Sequence, residues 1–72
     1  MRTQYIITCK PYKSAGWGRT RWAFDLFDDA QLFAEGYRAA LHDLGKYYIV
    51  AVHKYIDGKR GELLYTSEGI AQ

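Results

Sequence analysis

One marked helical segment lies between two strand-rich segments, and this order restricts the chain to a small set of α+β folds. Apolar residues recur with helical spacing at Phe33, Tyr37, Ala40, Leu41 and Leu44. Asp28 and Gln31 have the spacing of a capping box, and Gly45 suits the left-handed position that ends a helix. Gly36 is unfavourable inside a helix but is typical of one that approaches a sheet closely. We therefore predict a helix over residues 28–44.

Four segments have the composition and alternation of strands. Residues 4–10 and 19–26 alternate between apolar and polar side chains, and a proline and two glycines separate them. Residues 46–56 are rich in β-branched and aromatic residues. The Asp57-Gly58 pair that follows is a strong signal for a two-residue hairpin turn, so residues 60–66 should fold back as a fourth strand.

The predicted fold is therefore ββαββ, a single α+β domain over residues 1–72. A right-handed crossover through the helix favours the strand order 2-1-3-4, with the two hairpins side by side and the helix packed on one face. The result is a four-stranded, mainly antiparallel sheet of ferredoxin-like character.

The predicted register leaves one sheet face without a cover. Counting from the turn, the expected pairs are Ile56 with Lys59, Val52 with Leu63 and Val50 with Tyr65, the last two facing the helix. The opposite face then holds Tyr47, Ile49, Ala51, His53, Tyr55, Glu62, Leu64, Ile6, Thr8, Lys10, Arg19, Arg21 and Ala23. One helix covers one face, so we expect an exposed apolar patch with a basic rim, which favours association. The alternative is ordinary scattered apolar exposure.

Charge is distributed unevenly along the chain. Residues 1–21 contain five basic and no acidic residues, whereas residues 22–45 contain five acidic residues and one arginine. The net charge is only +2, which argues against a general polyanion binder. A basic first hairpin and an acidic helix would instead orient the molecule on a complementary partner.

The loop after the first strand has two interpretations. Trp17 lies between Gly16 and Gly18, with Lys13 and Arg19 close by in sequence. Tryptophan and arginine are frequent interface hot spots, and loops often present them to partners. Trp17 could equally fold back and close an open end of the core.

No motif specifies a reaction. Cys9 and His53 are the one conceivable nucleophile and base, but their parity puts them on opposite sheet faces. His53 is expected to pair with Glu62 across the strands. The sequence has no CxxC or His/Cys cluster, so we expect no metal, no cofactor and no enzymatic activity. The lone cysteine and the absence of a signal-peptide or membrane-spanning apolar run favour a cytoplasmic protein without membrane partners.

Two short segments and the element order resemble a group of small phage proteins. Tyr5-Ile6-Ile7 and Asp57-Gly58-Lys59-Arg60 are similar to stretches of a type I-F anti-CRISPR protein. The order of elements also resembles the short RNA polymerase inhibitor of T7-like phages. The loop at Trp17 and the tail after Gly61 depart from that pattern. The resemblance implies a stoichiometric inhibitor that occludes a nucleic-acid-binding or partner surface of a bacterial complex without catalysis.

The leading hypothesis is a non-enzymatic protein that binds a bacterial host protein or nucleoprotein complex. The residues expected to bind this partner are Lys10, Lys13, Trp17, Arg19, Arg21, Tyr47, Ile49, His53 and Tyr55. A second hypothesis is a nucleic-acid-binding module, because sheet aromatics flanked by arginine can stack on bases. A third is a structural homodimer closed through the uncovered face.

Overall fold

The computed structural model describes residues 1–12 and 16–67. The elements in chain order are β1 (Thr3–Pro11), β2 (Gly18–Phe24), α1 (Phe27–Asp43), β3 (Tyr48–Ile56) and β4 (Lys59–Thr66). The four strands form one sheet in the order β2-β1-β3-β4, and every neighbouring pair is antiparallel. The predicted ββαββ fold, its α+β class and its strand order are confirmed.

The start of α1 differs from the predicted capping box. The N-cap residue is Leu26, and no side chain caps the helix there. Asp28 and Asp29 lie inside the first turn, where a carboxylate is stabilised by the positive end of the helix dipole. The predicted Asp28–Gln31 capping pair is therefore wrong, because the helix begins earlier than expected.

The end of α1 follows the prediction. Gly45 has a φ of 77°, the left-handed conformation that glycine adopts without a Cβ penalty. The Gly45 amide donates to the His42 carbonyl at 2.9 Å, and the Lys46 amide donates to the Leu41 carbonyl at 2.9 Å. This is the Schellman pattern, and it satisfies carbonyls that the helix leaves without an internal donor.

The helix packs on the sheet through two alanines. Ala30 and Ala34 are fully buried against Ile7, Val50 and Val52. Partly buried residues surround this centre: Tyr5, Cys9, Phe24, Phe27, Phe33, Tyr37, Leu41 and Tyr65. Because alanine has the smallest apolar side chain, it lets the helix axis lie close to the β-branched residues of β1 and β3.

The predicted helical stripe is correct only in part. Phe33, Tyr37 and Leu41 pack on the core, whereas Ala40 and Leu44 are exposed. Gly36 is also exposed, and a Cβ built there would meet nothing within 4 Å. The expectation that Gly36 permits a close approach to the sheet is therefore wrong, since the buried alanines serve that purpose.

The turn between β3 and β4 is the predicted two-residue hairpin. Asp57 and Gly58 have φ values of 51° and 83°, and Ile56 pairs with Lys59. Positive φ at both central residues is the conformation of a type I′ turn. The Asp57 carboxylate accepts a 2.7 Å hydrogen bond from the Arg2 amide, while the Asp57 amide donates to the Arg2 carbonyl at 2.8 Å. The turn thus anchors the start of β1.

The register beyond that turn shifts twice. Tyr55 pairs with Arg60, His53 with Leu63 and Val52 with Tyr65, so β4 has one additional residue at each of two irregularities. Gly61 lies at the first of them, where an added Cβ would be 3.0 Å from the Lys54 carbonyl oxygen. The predicted pairs of Val52 with Leu63 and Val50 with Tyr65 are therefore wrong by two residues, because bulges insert residues into one strand only.

A third irregularity lies between β1 and β2. Ile6 pairs with Ala23 and Thr8 with Arg19, which leaves two additional residues on β2. The Thr20 hydroxyl donates to the Ile7 carbonyl at 2.7 Å and accepts from the Trp22 amide at 3.2 Å. The hydroxyl thus satisfies two backbone groups at the point where the strand ladder is interrupted. Both edge strands are therefore irregular, which disfavours pairing with a further strand.

Candidate binding face

The sheet face turned away from α1, which we call the far face, is largely buried. Its central residues are Ile6, Thr8, Ile49, Ala51, His53 and Tyr55. Ile6, Thr8 and Ala51 are 0% exposed, and Ile49, His53 and Tyr55 are 4%, 5% and 5% exposed. The expectation that Ile49, His53 and Tyr55 form an exposed apolar patch is therefore wrong.

The loop before β2 supplies part of the cover. The Trp17 ring, itself half-buried, packs on the His53 ring at 5.5 Å between centroids and an angle of 68°. Beneath it, Thr8 Oγ1 and His53 Nδ1 share a 2.8 Å hydrogen bond between adjacent strands. Of the two interpretations of Trp17, the structure favours the one in which the ring folds back onto the sheet. An edge-to-face aromatic contact of this kind contributes about 0.5 to 1.5 kcal/mol beyond area burial.

Three cations lie over this covered face, and we call Lys10, Arg19 and Arg60 the basic cluster. Lys10 Nζ is 4.8 Å from the centroid of Trp17, and Arg19 Cζ is 5.1 Å from the centroid of Tyr55. One Arg60 Nη donates a 3.0 Å hydrogen bond to the Trp17 carbonyl, which ties the loop to β4. Long basic side chains bury their stems on apolar groups and keep their charges in water. The outer surface of the far face therefore carries positive charge, with Leu63 exposed beside it.

The basic cluster has no neutralising partner in the described ranges. Within residues 1–12 and 16–67, neither Lys10, Arg19 nor Arg60 forms an ion pair with a carboxylate. The acidic residues of the first turn of α1, Asp28 and Asp29, belong to the helix, which packs on the opposite face of the sheet. The predicted polarity of charge is thus visible as two differently charged sides of one small sheet.

The pKa of His53 is lowered by its surroundings on the far face. Burial lowers the pKa of His53, and the nearby charge of Arg60 lowers that pKa further. Both effects oppose protonation, because the charged imidazole would lose hydration and face a cation. The ring under Trp17 is therefore neutral at neutral pH, and the positive field comes from the three side chains above it.

The remaining predicted binding residues are distributed elsewhere. The guanidinium of Arg21 lies 5.0 Å from the centroid of the adjacent Trp22 ring, which packs on Phe33 of α1. Tyr47 is exposed and contacts His42 at the end of the helix. Lys13 lies outside the described residues. The structure thus brings together Lys10, Trp17, Arg19, His53 and Tyr55, and Ile49 lies beside them as the cross-strand partner of Lys10.

Two members of this region were not predicted as binding or structural partners. Arg60 reaches it because Tyr55 pairs with Arg60, a pair that follows directly from counting back from the Asp57-Gly58 turn. Thr8 reaches it as the hydrogen-bond partner of His53, whereas the predicted Glu62 partner is replaced by Leu63 across the strands. The bulge near Gly61 causes this exchange, and only the glycine itself could have indicated it.

Exposed apolar side chains are instead spread over several parts of the molecule. Tyr12, Leu44, Tyr47 and Tyr48 are exposed at one end of the sheet and helix, where Pro11 pairs with Tyr48. Leu26, Leu32 and Leu63 are exposed elsewhere. The His42 and Tyr47 rings meet at 4.9 Å. The predicted excess of apolar surface therefore exists, but it does not form the centre of the far face.

Cys9 and His53 lie on different sides of the sheet. Cys9 pairs with Val50 and packs on the core under the helix, where burial raises the pKa of its thiol. His53 pairs with Ile6 and contacts Trp17 on the far face. A protonated thiol is a weak nucleophile, so this geometry does not activate Cys9 through His53.

The described residues contain no group of three or more His, Cys, Asp or Glu side chains that could hold a metal ion. In the same part of the chain, no helix has the length and apolar character needed to cross a bilayer. No family model matches the chain, and no similar curated protein or solved structure was found.

Proposed function

We propose that this chain is a non-enzymatic binding protein that uses the basic cluster and Trp17 to dock on an acidic surface of a macromolecular partner. The observation that supports this proposal is that Lys10 and Arg19 lie over two aromatic rings and Arg60 bonds the Trp17 carbonyl, without a carboxylate partner among the described residues. Unneutralised cations on one side of a molecule give orientation and association rate to an encounter with an anionic surface.

An acidic protein surface fits this geometry better than nucleic acid. Base stacking needs free ring faces, but Tyr55 is 5% exposed under Arg19, and Trp17 has Lys10 over its ring. The acidic side of the molecule and a net charge of only +2 also oppose a long polyanion. A compact acidic patch on a protein can meet the far face without approaching the helix.

The identity of the partner is proposed from resemblance alone. The similarity of two segments and of the element order to small phage inhibitors favours a bacterial protein or nucleoprotein complex in the host cytoplasm. Inhibition would then follow from occupancy of a surface that the complex needs for its own ligand. A homodimer through the far face loses its main argument, because the apolar residues of that face are already buried.

The test is a pull-down from bacterial lysate with the full tagged chain, with and without nuclease. Arg19→Glu combined with Arg60→Glu should abolish retention of the partner, whereas Arg38→Glu on the exposed side of α1 should preserve it. Circular dichroism checks that each variant is folded. Retention that survives in the double variant refutes the proposed face, and retention that nuclease removes identifies nucleic acid as the ligand.

A further inference from the structure

Two arginines from different strands lie on the same sheet face as Tyr55. Arg60 is the cross-strand partner of Tyr55, and the Arg19 guanidinium lies 5.1 Å from the Tyr55 ring centroid. The two are also joined through the loop, since Arg60 hydrogen-bonds the carbonyl of Trp17, two residues before Arg19. The strand pairing and the loop therefore bring two like charges into one neighbourhood.

These guanidinium groups retain free hydrogen-bond donors. Each arginine has five N–H donors in a planar fork. The described contacts use one from Arg60, to the Trp17 carbonyl, and the Arg19 contact with Tyr55 is to the ring alone. The ring contact of Arg19 and the hydrogen bond of Arg60 each restrict a guanidinium, so fewer rotamers are lost when it binds an anion. Both side chains are thus partly ordered before any ligand arrives.

We infer that Arg19 and Arg60 form a carboxylate-binding site for a short acidic peptide segment of the partner. This inference rests on the proposed function and names the group that the basic cluster receives. Each guanidinium can bind one carboxylate through two parallel N–H···O hydrogen bonds. Tyr55 holds Arg19 in place, while the Trp17 carbonyl holds Arg60 and Lys10 adds a point charge at the margin.

His53 supplies an internal reporter for the site. The charge of Arg60 is one of the two causes that lower the pKa of His53, together with burial. An anion bound at Arg60 offsets that charge, so the pKa of His53 should rise when the site is occupied. The other groups that contact His53 or lie across the strands from it are Thr8, Trp17, Ile6 and Leu63, and none of them is an acid.

The experiment is a titration of the full chain with a short, blocked glutamate peptide, followed by NMR of the His53 ring and of the arginine side chains. We expect saturable shifts and a higher pKa of His53 in the bound state. Arg19→Gln and Arg60→Gln should each weaken binding about three- to fivefold, the range for a partly exposed ion pair. Arg38→Gln, which removes the same charge from the helix, should change binding less than about 1.5-fold.

A second variant separates the fork from the charge. Arg19→Lys keeps the charge but removes the planar fork, so a two-bond carboxylate site predicts a loss close to that of Arg19→Gln. Unchanged binding in Arg19→Lys, or equal losses in Arg19→Gln and Arg38→Gln, overturns the site. Tighter binding of a charge-matched oligothymidylate or of inorganic phosphate overturns the assignment to carboxylate. If the peptide fails while the pull-down still depends on the basic cluster, the inference fails and the proposed function stands.

Discussion

Trp17 should stabilise the fold, and Trp17→Ala tests this role. Replacing a fully buried Trp by alanine costs about 3 to 5 kcal/mol, and this figure already includes the contacts of the ring. Trp17 is half-buried and contacts the His53 ring and Lys10. The free energy of unfolding should therefore fall by the lower end of this range, about 3 kcal/mol.

Such a loss approaches the whole stability of a small domain, which is about 3 to 5 kcal/mol. Urea unfolding followed by circular dichroism measures it, and the melting temperature should fall by at least about 10 °C. Trp17→Phe keeps an aromatic ring over His53 and should lose only about 1 kcal/mol. Tyr12→Ala is the control, because Tyr12 is 68% exposed. If Trp17→Ala melts within about 2 °C of the parent, the far face is not held by this ring and the reasoning fails.

Three further predictions follow from individual residues. The pKa of His53 is lowered in the folded state, so the unfolded chain binds the proton at a higher pH than the folded chain does. This group should leave stability unchanged above about pH 7 and should reduce it as the pH falls through about 6.5. Urea titrations at several pH values should show that His53→Gln removes this pH dependence. Gly36→Ala should stabilise the chain by about 1 kcal/mol, because Gly36 occupies an open helix position. Gly61→Ala should destabilise it, because the added Cβ would lie 3.0 Å from the Lys54 carbonyl oxygen. Equal melting temperatures for the two variants would contradict the bulge geometry. Asp57→Ala should cost about 2 kcal/mol by losing the Arg2 hydrogen bond and straining a φ of 51°, whereas Asp57→Asn should keep most of the stability in the same unfolding assay.

The order of elements could be predicted because its signals are local. Gly45 and Gly58 permit a positive φ because they lack a Cβ, and Asp57 is one of the few other residue types that tolerate it, so the local sequence indicates the backbone conformation that these residues adopt. The register of β4 could not be predicted, because a bulge depends on contacts between strands and produces only a weak signal in the sequence. Gly61 is the one such signal, since it occupies the position where a Cβ would meet the Lys54 carbonyl.

The sequence predicted which sheet face several residues occupy, but not whether that face is exposed. Periodicity correctly placed Cys9 and His53 on opposite faces of the sheet, because side chains alternate strictly over short distances in a strand. It could not show that the far face is buried, since the Trp17 ring on His53 comes from a loop and the guanidinium over Tyr55 comes from the long side chain of Arg19. The expectation that a face without a helix is exposed was therefore wrong.

The cations of the basic cluster therefore have two roles that oppose each other. As cover, Arg19 lies over the Tyr55 ring and Lys10 over the Trp17 ring, where their apolar stems shield these rings from water. As charges, they repel one another, because no described carboxylate neutralises them, and this repulsion lowers the stability of the free protein. An acidic partner removes the repulsion without displacing the cover, so binding and folding are thermodynamically linked. The chain should consequently melt at a higher temperature with the glutamate peptide than with an uncharged peptide of equal length, and equal melting temperatures would show that the cations serve only as cover.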